Sequence, residues 1–275
     1  MNTEPTLDSL VDALHQDGYC RIPGAYSSGE IAQSLALVGT WRERMKGREA
    51  ATVPYLNQNH PMVYNLQNKD MHFVRMLFSN ELGQAVLRHC LNDQWYRQIP
   101  EDKANFILRS YLARSSTEAL PMHIDSFVPF LGDYAVIMQY AIVLEPMNEE
   151  TGTTVIVPGS HKAGRYVTQE DREQAVPVIA EPGDLLIWDS RVWHGTTDNR
   201  TDHTRWVLIA TFCRWWIKQA FQIPEALPEE IFQQLTDEQK AIMGYCSIPY
   251  RDETEGIDMK RGFDEFNVIK TRKMT

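Results

Sequence analysis

From residue 104 to residue 216 the chain consists of short apolar segments that are divided by turns rich in proline and glycine. The segment Tyr134–Leu144 is almost continuously apolar, which is typical of a central strand buried on both faces. Turns such as Pro182-Gly183 separate the apolar segments from one another. About eight short strands with turns of this kind predict a β-sandwich or a jelly-roll barrel.

Helical patterns stand on both sides of the β-rich stretch. In residues 5–17, Leu7, Leu10, Val11 and Leu14 have the i, i+3, i+4, i+7 spacing of one apolar helix face. The predicted fold class is therefore α+β, mainly β, with flanking N- and C-terminal helices. We predict a single domain over residues 1–275, with a helical N-terminal region over residues 1–100, a β-core over about 104–216 and a helical C-terminal extension over 217–275.

Composition excludes several classes of partner. The net charge of -10 argues against nucleic acid, since phosphate binding requires a basic surface. The first residues show no signal peptide, and no apolar run reaches the ~18 residues of a membrane span. The four cysteines form no Cys-x-x-Cys pair, so neither a zinc ribbon nor a disulfide framework is predicted. We expect a soluble, cytoplasmic protein with reduced thiols that binds neither nucleic acid nor a membrane.

The stretch 120–127 contains His123 and Asp125 with one residue between them. If this stretch is an extended strand from Met122 to Val128, both side chains point to the same face. A histidine and a carboxylate side by side are two ligands of the 2-His-1-carboxylate triad that binds non-haem iron(II). The pattern alone is short, and two polar residues on a solvated strand face remain an alternative.

Two further residues strengthen the metal interpretation. His194 follows His123 by 71 residues (194 − 123) and could be the third ligand, or a core histidine with a satisfied hydrogen bond. Arg205 begins an apolar strand, where burial would require an anionic partner. A cosubstrate carboxylate would supply that partner, although pairing with Asp202 or exposure at a strand end would also explain the residue.

Together these motifs resemble the phytanoyl-CoA dioxygenase-like iron(II)/2-oxoglutarate oxygenases. The resemblance covers roughly residues 8 to 245 and is most specific between 121 and 215. It is carried by motifs in the family's order and spacing: His123-x-Asp125, Pro158-Gly159-Ser160-His161, Gly183-Asp184-Leu185-Leu186-Ile187-Trp188 and His194-Gly195-Thr196 followed by Arg205.

The resemblance implies a double-stranded β-helix, a jelly-roll or cupin-like core, with His123, Asp125 and His194 as the iron(II) ligands. Arg205 would bind the distal carboxylate of 2-oxoglutarate. Thr196 and Thr154 would assist it, and Thr153 would replace Thr154 if the strand register differs by one residue. The chain has Leu120 where many members have Gln or Asn three residues before the first histidine, so the minor cosubstrate contacts stay open.

The implied activity is an O₂-dependent oxidation that converts 2-oxoglutarate to succinate and CO₂. Asp125 favours hydroxylation over halogenation, because halogenases of this type have a small residue in place of the carboxylate. Desaturation, ring formation and endoperoxide formation stay open, as does a cupin-like metal-binding or sensor protein without turnover. No Lys/Arg cluster suggests a CoA pocket, so a small metabolite or natural product is favoured, bound by a monomer or homodimer.

The predicted entrance to the site is aromatic. Phe127 and Phe130 lie in the loop 126–134, and Trp215, Trp216 and Phe221 follow the last strand. They would suit a sizeable, partly apolar substrate at a cavity mouth. A core beneath the C-terminal helices is the alternative interpretation.

Overall fold

The computed structural model describes residues 4–48, 61–96, 99–100, 102–115, 117–249 and 252–254. The predicted C-terminal extension beyond these residues lies outside the described region. The helices are α1 (Leu7–Asp17), α2 (Ser28–Met45), α3 (Met71–Phe78), α4 (Glu81–Leu91), α5 (Ile223–Ala226), α6 (Glu229–Phe232) and α7 (Asp237–Ile242). The strands are β1 (Tyr19–Ile22), β2 (Met62–Tyr64), β3 (Phe106–Ser115), β4 (Leu120–His123), β5 (Ile137–Val143), β6 (Thr154–Ile156), β7 (Val176–Pro177), β8 (Leu185–Asp189), β9 (His194–Thr196) and β10 (Trp206–Arg214).

Helix α1 shows how local sequence sets the boundaries of an element. The Thr6 hydroxyl accepts a hydrogen bond from the Ser9 backbone N–H, and the Ser9 hydroxyl accepts one from Thr6, which satisfies amides at the helix start. Gly18 ends the helix with a φ of 83°, a left-handed conformation that favours glycine. Leu10 and Leu14 are buried, so the predicted apolar face packs against the protein.

The strands form two facing sheets, as predicted for a jelly roll. The large sheet has the order β1-β8-β5-β10-β3-β2 and the small sheet the order β4-β9-β6-β7. Because chain neighbours such as β4 and β5 belong to different sheets, the chain crosses repeatedly between the two. This alternation is the double-stranded β-helix.

Strand β5 lies at the centre of the large sheet and separates two apolar layers. Met138, Tyr140 and Ile142 join the core that the helices cover, whereas Ala141 and Val143 join the core between the sheets. The period of two thus explains why the sequence of this strand is apolar without alternation. The helix-side core also includes residues of α1 and α7. We propose on this ground that the three predicted regions form a single domain.

The prediction of a strand from Met122 to Val128 is wrong at its C-terminal end, because β4 ends at His123. The backbone N–H groups of Asp125 and Ser126 both donate to the Ser190 carbonyl, at 2.8 and 3.0 Å, instead of continuing a strand ladder. Phe127 then adopts a φ of 64°, which no extended strand allows. Asp125 therefore lies in a tight turn rather than in a strand.

Candidate metal centre

The pairing of β4 with β9 brings the predicted ligands together. His123 lies directly opposite His194 in this antiparallel pair, and their ring centroids are 4.2 Å apart. Asp125 Oδ1 is 3.6 Å from His123 Nε2, and its Oδ2 is 3.3 Å from His194 Nε2. One donor atom from each residue lies within 4.8 Å of the others, which is a spacing that one metal ion can bridge.

Both histidines are oriented by the backbone of their own strand. His123 Nδ1 lies 2.9 Å from the Pro121 carbonyl, and His194 Nδ1 lies 2.9 Å from the Val192 carbonyl. Since a carbonyl only accepts, each Nδ1 is assigned the proton, and each Nε2 keeps a lone pair that faces the group. Metal-ligating histidines characteristically donate their other ring N–H in this way.

The charges of the three side chains favour a cation between them. Burial by itself would raise the pKa of Asp125, but the adjacent His194 and His123 lower it below its ordinary value. Burial opposes protonation of His194, yet attraction to Asp125 raises the pKa of this histidine. A carboxylate thus stays ionised and attracts positive charge to the Nε2 positions. Two imidazoles and one carboxylate fit iron(II) and leave coordination positions for reactants.

Gly195 allows β4 and β9 to approach one another. A Cβ at this position would lie 2.8 Å from the Leu120 carbonyl oxygen and 3.2 Å from Met122 Sδ. The glycine between His194 and Thr196 is therefore a requirement of strand spacing at the centre.

Arg205 is buried directly before β10. Its exposure is 3%, and its Nε has no hydrogen-bond partner among the described residues. Burial, with a smaller contribution from nearby Arg114, lowers the pKa of Arg205 to about 10. The alternative of pairing with Asp202 is wrong, because the Asp202 side chain is 94% exposed and its ion pair is with His203. A buried guanidinium without a counter-ion fits an anionic ligand.

The threonines differ in what they can offer that ligand. Thr196 Oγ1 accepts a hydrogen bond of 2.9 Å from the Leu120 N–H, so its own proton remains available to a ligand. Thr154 lies opposite Thr196 in the β6–β9 pair, and paired residues share one sheet face. The Thr153 hydroxyl instead donates to the Val178 carbonyl, which removes the alternative register from consideration.

Two groups at the candidate metal centre, the Ser190 carbonyl and Arg114, were not predicted from the sequence. The Ser190 carbonyl fixes the turn that carries Asp125, and a backbone acceptor leaves no signature in residue type. Arg114 lies on β3, opposite Val207 of the strand that Arg205 precedes. It directly follows the apolar run 105–113, and the structure includes it in β3, which extends to Ser115.

Some aromatic residues near the predicted entrance are exposed, as expected for a cavity mouth, and others pack against the core. Phe127 and Trp216 are 59% and 53% exposed, in keeping with a mouth. Trp215 packs against Tyr96, with ring centroids 4.3 Å apart, and Phe221 packs against the main core. The exposed Phe127 shows that the 126–134 loop lies at the protein surface, whereas Trp215 and Phe221 contribute to core packing.

A jelly roll that carries a His-Asp-His group, and a buried arginine whose Nε has no hydrogen-bond partner among the described residues, is characteristic of the non-haem iron(II)- and 2-oxoglutarate-dependent oxygenases. The chain belongs to the phytanoyl-CoA dioxygenase (PhyH) family, whose sequence pattern matches residues 14–207, 194 of the 275 residues. It is therefore an iron- and 2-oxoglutarate-dependent dioxygenase, and the alternative of a sensor without turnover is set aside.

Known proteins show the same relationship. The chain is 26% identical to dioxygenase af480 of Aspergillus fumigatus over 250 residues, which are 86% of this chain and 76% of that protein. HygX from Streptomyces hygroscopicus, solved with nickel and 2-oxoglutarate, has a TM-score of 0.59 at 19% identity and covers 79% of this chain and 90% of its own. The epimerase SnoN, solved with Fe³⁺, α-ketoglutarate and nogalamycin RO, has a TM-score of 0.58 at 18% identity, with coverages of 81% and 90%. The two structural likenesses concern the fold.

The described helices include none that is long and apolar enough to cross a membrane. All four cysteines are free thiols. The cytoplasmic location and the oligomeric state stay predictions.

Proposed function

We propose that His123, Asp125 and His194 bind iron(II), that Arg205 binds the distal carboxylate of 2-oxoglutarate, and that the enzyme hydroxylates a small, largely apolar metabolite. The observation that carries this proposal is Arg205, a buried guanidinium with no counter-ion among the described residues, in a fold that also brings three metal donors together. Iron and 2-oxoglutarate, when bound, supply the oxidising chemistry with O₂ and yield succinate and CO₂.

The residues of the chain position these reactants. The Pro121 and Val192 carbonyls hold the two imidazoles with Nε2 toward the metal, and the Ser190 carbonyl holds the turn of Asp125. Arg205 and Thr196 would fix the far end of the cosubstrate, so that its keto end faces the metal. Thr154 would add a hydroxyl from the neighbouring strand. A cosubstrate fixed at both ends leaves one direction for the substrate.

The substrate would approach from the side of the 126–134 loop. Phe127, Val128 and Leu131 of this loop are all more than half exposed, with Leu131 at 69%. Arg109 lies 5.0 Å from the Phe127 ring centroid and supports the start of the loop. Exposed apolar side chains directly after a metal ligand suit an apolar substrate, because their burial on binding is favourable. Hydroxylation is proposed over halogenation because Asp125 provides the carboxylate ligand.

Calorimetric binding of 2-oxoglutarate in the presence of Mn²⁺ tests the assignment without turnover. The parent protein should bind 2-oxoglutarate only when the metal is present, and His194→Ala should bind neither Mn²⁺ nor 2-oxoglutarate. Arg205→Met should weaken 2-oxoglutarate roughly ten- to a hundredfold, as expected for loss of a charge-assisted carboxylate pair. It should not weaken 2-oxopentanoate, which has a methyl group in place of the distal carboxylate.

Arg75→Met is the matched control, since Arg75 is exposed on α3. Equal loss of both ligands in Arg205→Met would contradict the assignment of the distal carboxylate to this residue. Mass spectrometry of candidate metabolites, incubated with iron(II), 2-oxoglutarate and O₂, then separates reaction types. Gain of one oxygen indicates hydroxylation, and loss of two hydrogens without added oxygen contradicts it.

A further inference from the structure

The location of Arg114 on β3 places its side chain between the two sheets. Arg114 is paired with Val207 on β10 and with Met62 on β2. Paired residues of antiparallel strands project to the same face, and Val207 belongs to the core between the sheets. Arg205 lies one residue before β10 and two residues before Val207, so the period of two, continued past the start of the strand, directs it to that face as well. Arg114 and Arg205 therefore face the same space.

The electrostatic neighbours of Arg114 confirm this position. After burial, repulsion from Arg114 is the cause that lowers the pKa of Arg205. Burial is the largest cause for both ligands, raising the pKa of Asp125 and lowering that of His123, and Arg114 is a smaller cause that acts to lower both. One guanidinium is thus near both the candidate metal ligands and the arginine assigned to the cosubstrate.

Among the described residues, Arg114 has no partner for its charge. Its Nε is buried without a hydrogen bond, and its guanidinium forms no ion pair within the described residues. Burial lowers the pKa of Arg114, while Tyr64 and Asp125 act in the opposite direction. Asp125 is not available as a partner, because both of its carboxylate oxygens face the two histidines. Two neighbouring guanidiniums without counter-ions repel one another and indicate an anion with more than one charge.

We infer that Arg114 is a second cosubstrate-binding residue, which donates hydrogen bonds to a carboxylate of 2-oxoglutarate alongside Arg205. Two unpaired guanidiniums match the two carboxylates of one dicarboxylate, and an arginine fork suits a carboxylate geometrically. The carboxylate is either the distal one, shared with Arg205, or the one next to the keto group. This inference rests on the proposed function. It also accounts for the absence of Gln or Asn at Leu120, since Arg114 supplies a donor from another strand.

The test measures binding of 2-oxoglutarate and of 2-oxopentanoate to Mn²⁺-loaded Arg114→Met by calorimetry. If Arg114 binds the carboxylate next to the keto group, both ligands should weaken roughly ten- to a hundredfold. If it shares the distal carboxylate, 2-oxoglutarate alone should weaken by that factor. Either result supports the inference and distinguishes the carboxylates. Arg114→Lys, which keeps the charge, should recover part of the affinity. Dissociation constants within about twofold of the parent for both ligands would overturn it.

The affinity for Mn²⁺ alone separates electrostatics from structural damage. Removal of a positive charge near the ligands should leave metal affinity unchanged or increase it, whereas a disturbed site would bind the metal more weakly. A weaker metal site in Arg114→Met would therefore count against a direct role. Arg75→Met, an exposed arginine on α3, is again the matched control, and it should change the affinity for neither ligand. A parent protein that binds no 2-oxoglutarate with Mn²⁺, or Arg205→Met with unchanged affinity, would refute the proposed function itself.

Discussion

Gly195→Ala tests whether strand spacing, rather than the ligands alone, forms the metal centre. The added Cβ would lie 2.8 Å from the Leu120 carbonyl oxygen, and ordinary contact begins at 3.4 Å. The two strands must therefore separate by about 0.6 Å (3.4 − 2.8) at this point. The opposing atom belongs to the backbone, so no side-chain rotation can relieve the contact. His123 and His194 are on opposite sides of the widened gap.

A displacement of this size matters because a functional site must be held within about 0.5 Å of its productive geometry. We expect Gly195→Ala to bind Mn²⁺ and Fe²⁺ at least about tenfold more weakly, although every ligand is retained. Overpacking should also cost about 1–3 kcal/mol of unfolding free energy. Calorimetry with the metal and urea unfolding of the metal-free protein measure the two effects separately.

Gly39→Ala is the matched control. Gly39 lies in the exposed face of α2, and a Cβ there meets nothing within 4 Å. Since alanine is a better helix former than glycine, this variant should be more stable by up to about 1 kcal/mol with unchanged metal affinity. If Gly195→Ala binds metal as tightly as the parent, the two strands are not held at this spacing in solution, and the reasoning fails.

Two further predictions concern groups outside the centre. Arg191 and Asp189 form a buried ion pair with an Arg191 Nη2–Asp189 Oδ2 distance of 2.7 Å, so Arg191→Met should lose about 3–5 kcal/mol of unfolding free energy. Urea unfolding measures this, and a loss below about 1 kcal/mol would show that the pair is not buried in solution. Burial raises the pKa values of Cys90 and Cys213 to about 12, so only about one thiol in ten thousand is ionised near pH 8. Cys213, which has no exposed area, should react with a disulfide reagent only after denaturation, and rapid labelling of Cys213 in the folded protein would contradict its burial.

The β-core was predictable because its strands have strong local signals. The apolar run that contains β5, the Pro182-Gly183 turn and the His-x-Asp motif each depend on neighbours in sequence. The grouping of His123, Asp125 and His194 was also predictable, since the motifs occur in a recognisable order. The role of Arg205 stays a prediction from the same order of motifs, and its burial excludes the pairing with Asp202.

The errors and omissions come from tertiary contacts. The end of β4 at His123 depends on the Ser190 carbonyl, which lies 65 residues beyond Asp125 (190 − 125). This carbonyl accepts hydrogen bonds from the Asp125 and Ser126 amides, which therefore do not pair with a neighbouring strand. Only the pairing of β3 with β10 assigns Arg114 and Arg205 to the same face, because the sequence between them contains no feature that links the two arginines. Side-chain direction alone decided between Thr153 and Thr154.

The orientation of each candidate histidine ligand by the carbonyl two residues before it has a consequence for how the enzyme can change. An imidazole that donates to a carbonyl of its own main chain needs no hydrogen bond from a neighbouring side chain to keep its orientation. Surrounding residues that do not set the spacing of β4 and β9 can therefore be exchanged while both imidazoles keep this hydrogen bond. Such a scaffold separates the choice of molecule from the chemistry performed on it, and new selectivity can be introduced at the 126–134 loop without rebuilding the metal centre.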